Sequence, residues 1–378
     1  MKDYKSLKLR IAAGITDFLG SIIFFWVGEK KISNSEIKKV VILKFDRIGD
    51  TFLATPTIEG IRKLFPNAII FIFSAPWNYK ILEGNPNLDE LKVLDIAPDI
   101  HKKGIISFLN LNKISLLKKE IMKIKPDIVI DLQGNPFNVL AMFFSKTPIK
   151  AGFETKVLSF LLNKKVGYSK NNHQTEMYFS VCRDLGYKGE IPKENIFIGE
   201  QDNKKVLDLL KEHGMKKYFV FHLGAGRSYR QWPLDNFVSL ANIILQKDKD
   251  IKIAVIGGRE DDKLAEELIS KTQKDRVINF IGKLDIKESY VLLSYAQVFV
   301  GSESGPMHLA GCLNIPTLVF MNEWSGIDRW KPLGGKVFIF KSRPVHGCKG
   351  LKCKENPCPN MAAITVEEVI KSLENILK

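Results

Sequence analysis

The stretch VVILKFDRIGDT, residues 40–51, decides the fold. VVILKF is a short, continuously apolar run without polar alternation, the pattern of a strand covered on both faces. A polar turn containing Gly49 follows, and residues 52–65 then read as a helix. Strand, polar turn and helix open a doubly wound α/β domain. Working outward, AIIFIF (68–73), LKVLDI (91–96), a helix near 113–124 and DIVIDL (127–132) continue the alternation. The pattern loosens over 155–198, where NNHQTEMYFSVCRDLGYKG reads as a helix and a linker. It restarts with YFVFHL (218–223), IKIAVIGG (251–258), VINFIG (277–282), QVFVGS (297–302) and PTLVFM (316–321). The expected fold class is therefore α/β, with two doubly wound Rossmann-like domains facing across a cleft. The expected boundaries are an N-terminal segment over 1–39, a first domain over 40–185, a second over 186–362 and a final helix over 363–378.

Length and composition agree. A chain of 378 residues suits two cores, and 45% hydrophobic with 26% charged residues excludes disorder as the general state. The formal charge of +15 calls for anionic partners: a phosphorylated substrate, an anionic membrane face or, failing these, only a lysine-rich solvated surface. No arginine-rich tail, RNA-binding signature or zinc finger is present, so nucleic acid is not expected as a partner.

The membrane reading rests on residues 11–28. As a helix they place Ile15, Phe18, Leu19, Ile22, Phe25 and Trp26 on one face, with Asp17 and Ser21 opposite. Lysines and Arg10 flank the stretch, which is barely long enough to span a bilayer and carries a carboxylate and glycines. WVGEKKIS offers no small-x-small cleavage site. An in-plane amphipathic anchor is the preferred reading, with a helix docked on the protein's own core or a partner, or a true span, as alternatives. Of five cysteines, Cys182 and Cys312 fall in helical and apolar patterns and read as structural. Cys348, Cys353 and Cys358 recur at five-residue spacing, with His346 beside them. That set lacks the tight C-x2-C pairs of common zinc modules, and a metal, a local disulfide and thiols packing a loop all remain open.

Ligands in open parallel sheets bind beyond the carboxyl ends of the strands, which nominates three loops. KFDRIGDT clusters Asp46, Arg47 and Asp50 around Gly49. Transfer to an alcohol needs a carboxylate of this kind to take the hydroxyl proton, although Asp50 reads equally as the cap of the next helix. In HLGAGRSYRQWP (222–233), Gly224 and its small neighbours admit a close backbone approach, while Arg227 and Arg230 supply charge for phosphate. In GSESGPMHLAG (301–311) a helix is expected from about Gly305, with the amides of Gly305, Met307 and His308 as anion donors and Ser304 adding a hydroxyl. Glu303 would repel a phosphate, so a ribose or sugar hydroxyl is its expected partner.

Taken in order, the glycine-aspartate after the first strand, DLQGN (131–135), GAGRSYRQWP and SESGPMHLAGCLNIP resemble glycosyltransferase family 9, the ADP-heptose:lipopolysaccharide heptosyltransferases. The resemblance runs from about Val40 to the C-terminus. It implies a GT-B fold and an inverting transfer that needs no metal or other cofactor, from a nucleotide-diphosphate sugar to a lipid-linked glycan. It implies Asp50 as general base, and Arg230, where the family carries lysine, as a phosphate contact. Ser304, Gly305 and His308 would hold the donor diphosphate. Asp261 or Glu260 would reach the nucleoside, and Arg47, Asp131 and Gln133 would lie on the acceptor side. Glu303 departs from the family's aspartate, and MNEWSGIDRW (321–330) from its glycine-proline-threonine turn. The location implied is the cytoplasmic face of the inner membrane. A sugar-nucleotide epimerase of the same fold and a non-catalytic nucleotide- or lipid-binding relative are the competing readings.

Overall fold

The computed structural model describes residues 20, 22, 28, 34–96, 110–154, 158–169, 171–345, 347–348 and 353–377. It divides into two compact units, residues 1–194 and 195–378.

The first unit is a six-stranded parallel sheet: β1 (Lys39–Lys44), β2 (Ile69–Ser74), β3 (Glu90–Val93), β4 (Ile128–Asp131), β5 (Ile149–Phe153) and β6 (Lys164–Val166). Its strands lie in the order β3-β2-β1-β4-β5-β6. β1 is central, with Val41 opposite Phe71 on one side and Val129 on the other. Because both neighbours and both faces are covered, Val40, Val41, Ile42 and Leu43 are wholly buried, which is why the run shows no polar alternation. The helices are α1 (Ile48–Phe52), α2 (Thr55–Leu64), α3 (Leu111–Ile124), α4 (Pro136–Phe144) and α5 (Gln174–Asp184). Residues 52–65 are thus not one helix with what precedes them: the chain turns at Leu53–Ala54, and Pro56 starts α2. α5 packs on α2, where a Cβ on Gly60 would stand 2.8 Å from Cys182 Sγ. Cys182 donates to the Thr57 carbonyl, the structural role expected of it. The chain stays with this unit to residue 194, beyond the expected boundary at 185, because Thr175 on α5 hydrogen-bonds Glu194 at 2.7 Å.

The second unit repeats the plan with β7 (Tyr218–His222), β8 (Lys252–Ile256), β9 (Val277–Asn279), β10 (Val298–Ser302), β11 (Thr317–Met321) and β12 (Val337–Lys341), ordered β12-β11-β10-β7-β8-β9. Its helices are α6 (Glu200–Glu212), α7 (Leu234–Lys247), α8 (Asp262–Ser270), α9 (Ile286–Ser294), α10 (Gly305–Cys312) and α11 (Val366–Leu377). The last helix is not a separate appendage: Val369 and Leu373 belong to the same core as Trp232 and Phe237.

Three strands were not expected. β5 and β6 carry lysines and a glycine, and Lys150 is accommodated inside β5 by donating its Nζ to the Thr147 carbonyl at 3.0 Å. β12 is a partly exposed edge. Most of the proposed amphipathic anchor lies outside the described residues; of it, Gly20 is buried where a Cβ would meet the Phe160 ring, and Ile22 is exposed. Among the described residues no helix is long and apolar enough to cross a membrane.

Candidate active site

In each sheet the strand order reverses between the first and fourth strands, β1 with β4 and β7 with β10. The loops leaving those strands are where such sheets bind ligands.

In the first unit, Lys44 at the end of β1 is fully buried. A buried ammonium persists only when paired. Here Nζ lies 2.7 Å from Asp46 Oδ2 and 3.6 Å from the centroid of the Tyr178 ring, a carboxylate and a π face together. The Asp46 carbonyl accepts from Trp77 Nε1 at 2.8 Å and Asn78 Nδ2 at 3.0 Å, which pins the loop. Tyr178 in turn donates its hydroxyl to Asp50 Oδ1 at 3.0 Å. Asp50 sits in the first turn of α1, and the N-cap position is Arg47, so Asp50 is not a helix cap. Burial, and then the Asp46 charge, raise the Asp50 carboxyl above the ordinary carboxylate range, while Lys44 and the Tyr178 hydroxyl hold it back. Burial also pushes the Tyr178 hydroxyl well up, so it stays a donor.

Asp131 ends β4 and is fully buried. It accepts from the Gln133 amide at 3.0 Å, the Gly134 amide at 3.0 Å and Asn138 Nδ2 at 2.7 Å. Gly134 takes φ 69°, a left-handed turn that suits glycine and brings its amide back to the carboxylate. Burial raises Asp131 to about 6 against these donors. Its oxygens are thus spent on shaping the loop. Gln133 is half-buried and Arg47 exposed on the same rim.

In the second unit, His222 ends β7, with Nδ1 3.1 Å from Ser304 Oγ and Nε2 3.8 Å from Asp261 Oδ2. Burial holds His222 down at about 4, so at neutral pH it is uncharged, in hydrogen-bond contact with Ser304 and only near Asp261. Asp261 is raised to about 6 by burial and by Glu260. A Cβ on Gly224 would stand 2.1 Å from one Asp261 oxygen, and one on Gly257 2.7 Å from the other. Only glycine at both positions lets that carboxyl lie between β7 and β8. Of the two candidates Glu260 and Asp261, Asp261 is the one placed beside Gly224 and Gly257, while Glu260 is exposed.

α10 starts at Gly305 with Pro306 in its first turn. Ser304 holds the N-cap position but makes no side-chain cap, because its hydroxyl turns to the Ser302 carbonyl and to His222. Ser304 therefore leaves the start of α10 without an N-cap side chain, an arrangement that suits an anion. A Cβ on Gly305 would meet nothing within 4 Å, so this turn borders open space. Met307 and His308 are buried within the same turn.

Arg230 was expected to face phosphate and Glu303 a sugar. The structure instead joins them, Nη1 to Oε1 at 2.7 Å. The pair is incomplete, since Arg230 Nε and Glu303 Oε2 have no hydrogen-bond partner among the described residues. Burial raises Glu303, and Arg230 opposes that shift. The loop carrying Arg230 is anchored on both sides. Asn322 Nδ2 donates to the Tyr229 carbonyl at 3.0 Å, and the Trp232 amide to Ser302 Oγ at 3.0 Å. Trp232 is buried and stacks on Phe320 with centroids 4.0 Å apart.

The family model for glycosyltransferase family 9 (heptosyltransferase) matches residues 114–359. This chain belongs to glycosyltransferase family 9. Among its relatives is lipopolysaccharide heptosyltransferase 3 of Escherichia coli, 22% identical over 353 residues, which cover 87% of this chain and 96% of that one. The solved glycosyl transferase family 9 from Veillonella parvula aligns with a TM-score of 0.75 at 22% identity, covering 90% of this chain and 97% of the other. The E. coli heptosyltransferase WaaC with ADP-2-deoxy-2-fluoro heptose aligns at 0.66 and 18% identity, over 89% and 99% of the two chains. The fold is thus GT-B, and the family makes this chain a glycosyltransferase.

Four residues that hold this candidate site together escaped the sequence reading: Lys44, Tyr178, His222 and Asn322. Tyr178 is 128 residues from the carboxylate it contacts, a separation with no local signature. His222 and Lys44 each end an apolar strand, and a polar residue closing a buried strand is the signal that was there to be used. Asn322 lies in the stretch noted only as a departure from the family pattern.

Proposed function

We propose that this family 9 enzyme moves heptose, with inversion, from ADP-heptose to a lipopolysaccharide inner-core or related lipid-linked surface-glycan acceptor. The observation that carries the donor half is the first turn of α10, which Ser304 leaves uncapped beside the Arg230–Glu303 pair. The diphosphate takes those amides and the Arg230 guanidinium, which together neutralise the charge that grows on the departing nucleotide. No metal enters that step. Ser304, Gly305, Met307 and His308 hold the diphosphate, Gly224 admits the backbone, and Asp261 faces the nucleoside. Glu303, relieved of Arg230 by the incoming phosphates, turns to a sugar hydroxyl. In the first unit Asp50 takes the acceptor's hydroxyl proton as the oxygen attacks the anomeric carbon. Its raised pKa makes it a stronger proton acceptor than an ordinary carboxylate. Arg47, Asp131 and Gln133 form the acceptor side, with Asp131 acting through the loop it shapes.

The relative solved with an ADP-heptose analogue supports the donor choice by resemblance. The +15 charge and the basic flanks of residues 11–28 support work at the cytoplasmic face of an anionic membrane. A thermal-shift panel of nucleotide sugars tests the donor. ADP-sugars should stabilise the protein above UDP- and GDP-sugars at equal concentration. A preference for another base would remove ADP-heptose, and no response to any would remove the donor site.

A further inference from the structure

The three C-terminal cysteines have no part in that chemistry, yet their sulfurs converge. The Sγ atoms of Cys348, Cys353 and Cys358 all lie within 4.8 Å of one another. Cys358 is wholly buried and Cys353 nearly so, both inside the core that contains Trp232, Phe237 and Met361. No disulfide is formed among the described cysteines. Filling an apolar core does not require sulfur, and three residues at five-residue spacing do not meet at one point by helical or strand periodicity. Asn360, itself fully buried, donates its Nδ2 to Cys348 Sγ at 3.3 Å and to the Cys348 carbonyl at 3.2 Å. A buried amide N–H directed at a sulfur stabilises a thiolate, as outer-shell donors do around metal-bound cysteines.

We propose that Cys348, Cys353 and Cys358 form a thiolate site for a thiophilic divalent cation, zinc by preference. With Zn–S bonds of about 2.3 Å, tetrahedral sulfurs stand roughly 3.8 Å apart. The observed spacing reaches that with side-chain adjustments of about an ångström. On binding, each thiol releases one proton to solvent, and three thiolates with one divalent cation leave one negative charge. Lys354, next to Cys353 in the chain, offsets it. The fourth position falls to a solvent oxygen. The site is a staple, and sugar transfer is not routed through it. The chain beyond it reaches Ile364, whose carbonyl accepts from Trp232 Nε1 at 2.9 Å. The Trp232 amide holds Ser302, two residues from the Arg230 turn. The cation therefore ties the C-terminal strap to the base of the donor loop.

The test is titration of the reduced, chelator-stripped full chain with Co²⁺, a spectroscopic stand-in for zinc. We expect about one cobalt per chain, with thiolate-to-cobalt charge-transfer bands in the near ultraviolet, tetrahedral d–d bands in the visible and displacement of both by Zn²⁺. C353S and C358S should lose the bands, and C182S should keep them. Zinc should also raise the Tm of the stripped wild type by several degrees. The proposal is overturned if the wild-type chain shows no thiolate–cobalt bands, or if the bands survive the C353S/C358S double variant. A disulfide joining two of the three cysteines in protein isolated under non-reducing, thiol-trapped conditions would overturn it equally. The wild-type titration is decisive even where a serine variant fails to fold.

Discussion

The two units share one strand order and differ in what stands at the point where that order reverses. In the first, Asp46 pairs with the buried cation Lys44, and two further carboxylates, Asp50 and Asp131, stand in the neighbouring loops. Burial first, and then the Asp46 charge, push Asp50 and Asp131 upward, which suits the proposed proton acceptor. In the second, an uncapped helix start and a guanidinium face one buried carboxylate, which makes a place to receive an anion. In the proposed mechanism, a backbone plan repeated almost without change is divided between base and donor by a few loop side chains. The sheets hold the loops; the loop residues choose the charge.

The hardest blow to this division is at Asp50. D50A or D50N should lower the transfer rate by about 10²–10⁴ while nucleotide affinity shifts less than two-fold. Transfer within a few-fold of wild type would move the base out of the first unit. The next effect belongs to the second unit. R230A removes a charge-assisted contact and leaves Glu303 buried without its partner, so ADP should bind on the order of 10²-fold more weakly. Adding E303Q removes the stranded charge and should recover about ten-fold of that loss. Calorimetric affinities of the two singles and the double give the coupling directly. An additive double would mean that the pair does not act on the same phosphate site.

How much of this was legible depended on distance along the chain. β1 and β7 were readable because a strand buried on both faces must be apolar throughout, and their loops because polar clusters beyond such strands are conspicuous. β5 was not, since Lys150 is buried with its Nζ on the Thr147 carbonyl, a partner that only the folded chain supplies. Asp50, Arg230 and the α10 turn were visible as residue types in the right loops. That Arg230 is engaged by Glu303, and that Asp50 is held by Tyr178 rather than capping a helix, are products of tertiary approach. The His222–Ser304 contact likewise needed β7 and β10 to lie side by side.

Smaller effects sharpen the contrast on the acidic side. Tyr178 donates to the Asp50 carboxylate and so favours its charged form. Y178F should therefore raise the acid limb of the kcat/KM pH profile by about half to one unit, since a hydrogen bond of roughly 1 kcal/mol corresponds to about 0.7 of a unit. The rate above that limb should fall only a few-fold. An unmoved limb would mean that the titrating group is not Asp50.

Asp131 makes the smallest and most particular prediction, because its effect is on stability and its sign opposes that of an ordinary ion-paired carboxylate. Its carboxyl rises to about 6 in the folded chain, from an unfolded value near 3.8. The folded state then holds more protons than the unfolded state between those values, so stability increases as pH falls from 7 towards 5. The gain from this one group is about 1–2 kcal/mol over that interval. Carboxylates lowered by partners, such as Glu120 beside Lys123 and Lys92, act in the opposite direction. The comparison must therefore be between wild type and D131N rather than between two pH values of one protein. Urea unfolding at pH 7 and pH 5 should give a wild-type stability change more favourable to the acid side than that of D131N by this amount. The absolute stability of D131N is a poorer readout, because its amide would set a donor against the Gly134 amide. Parallel pH dependences would show Asp131 ionised throughout, held by its three donors rather than governed by burial. In that case the carboxylate cluster of the first unit would titrate through Asp50 alone.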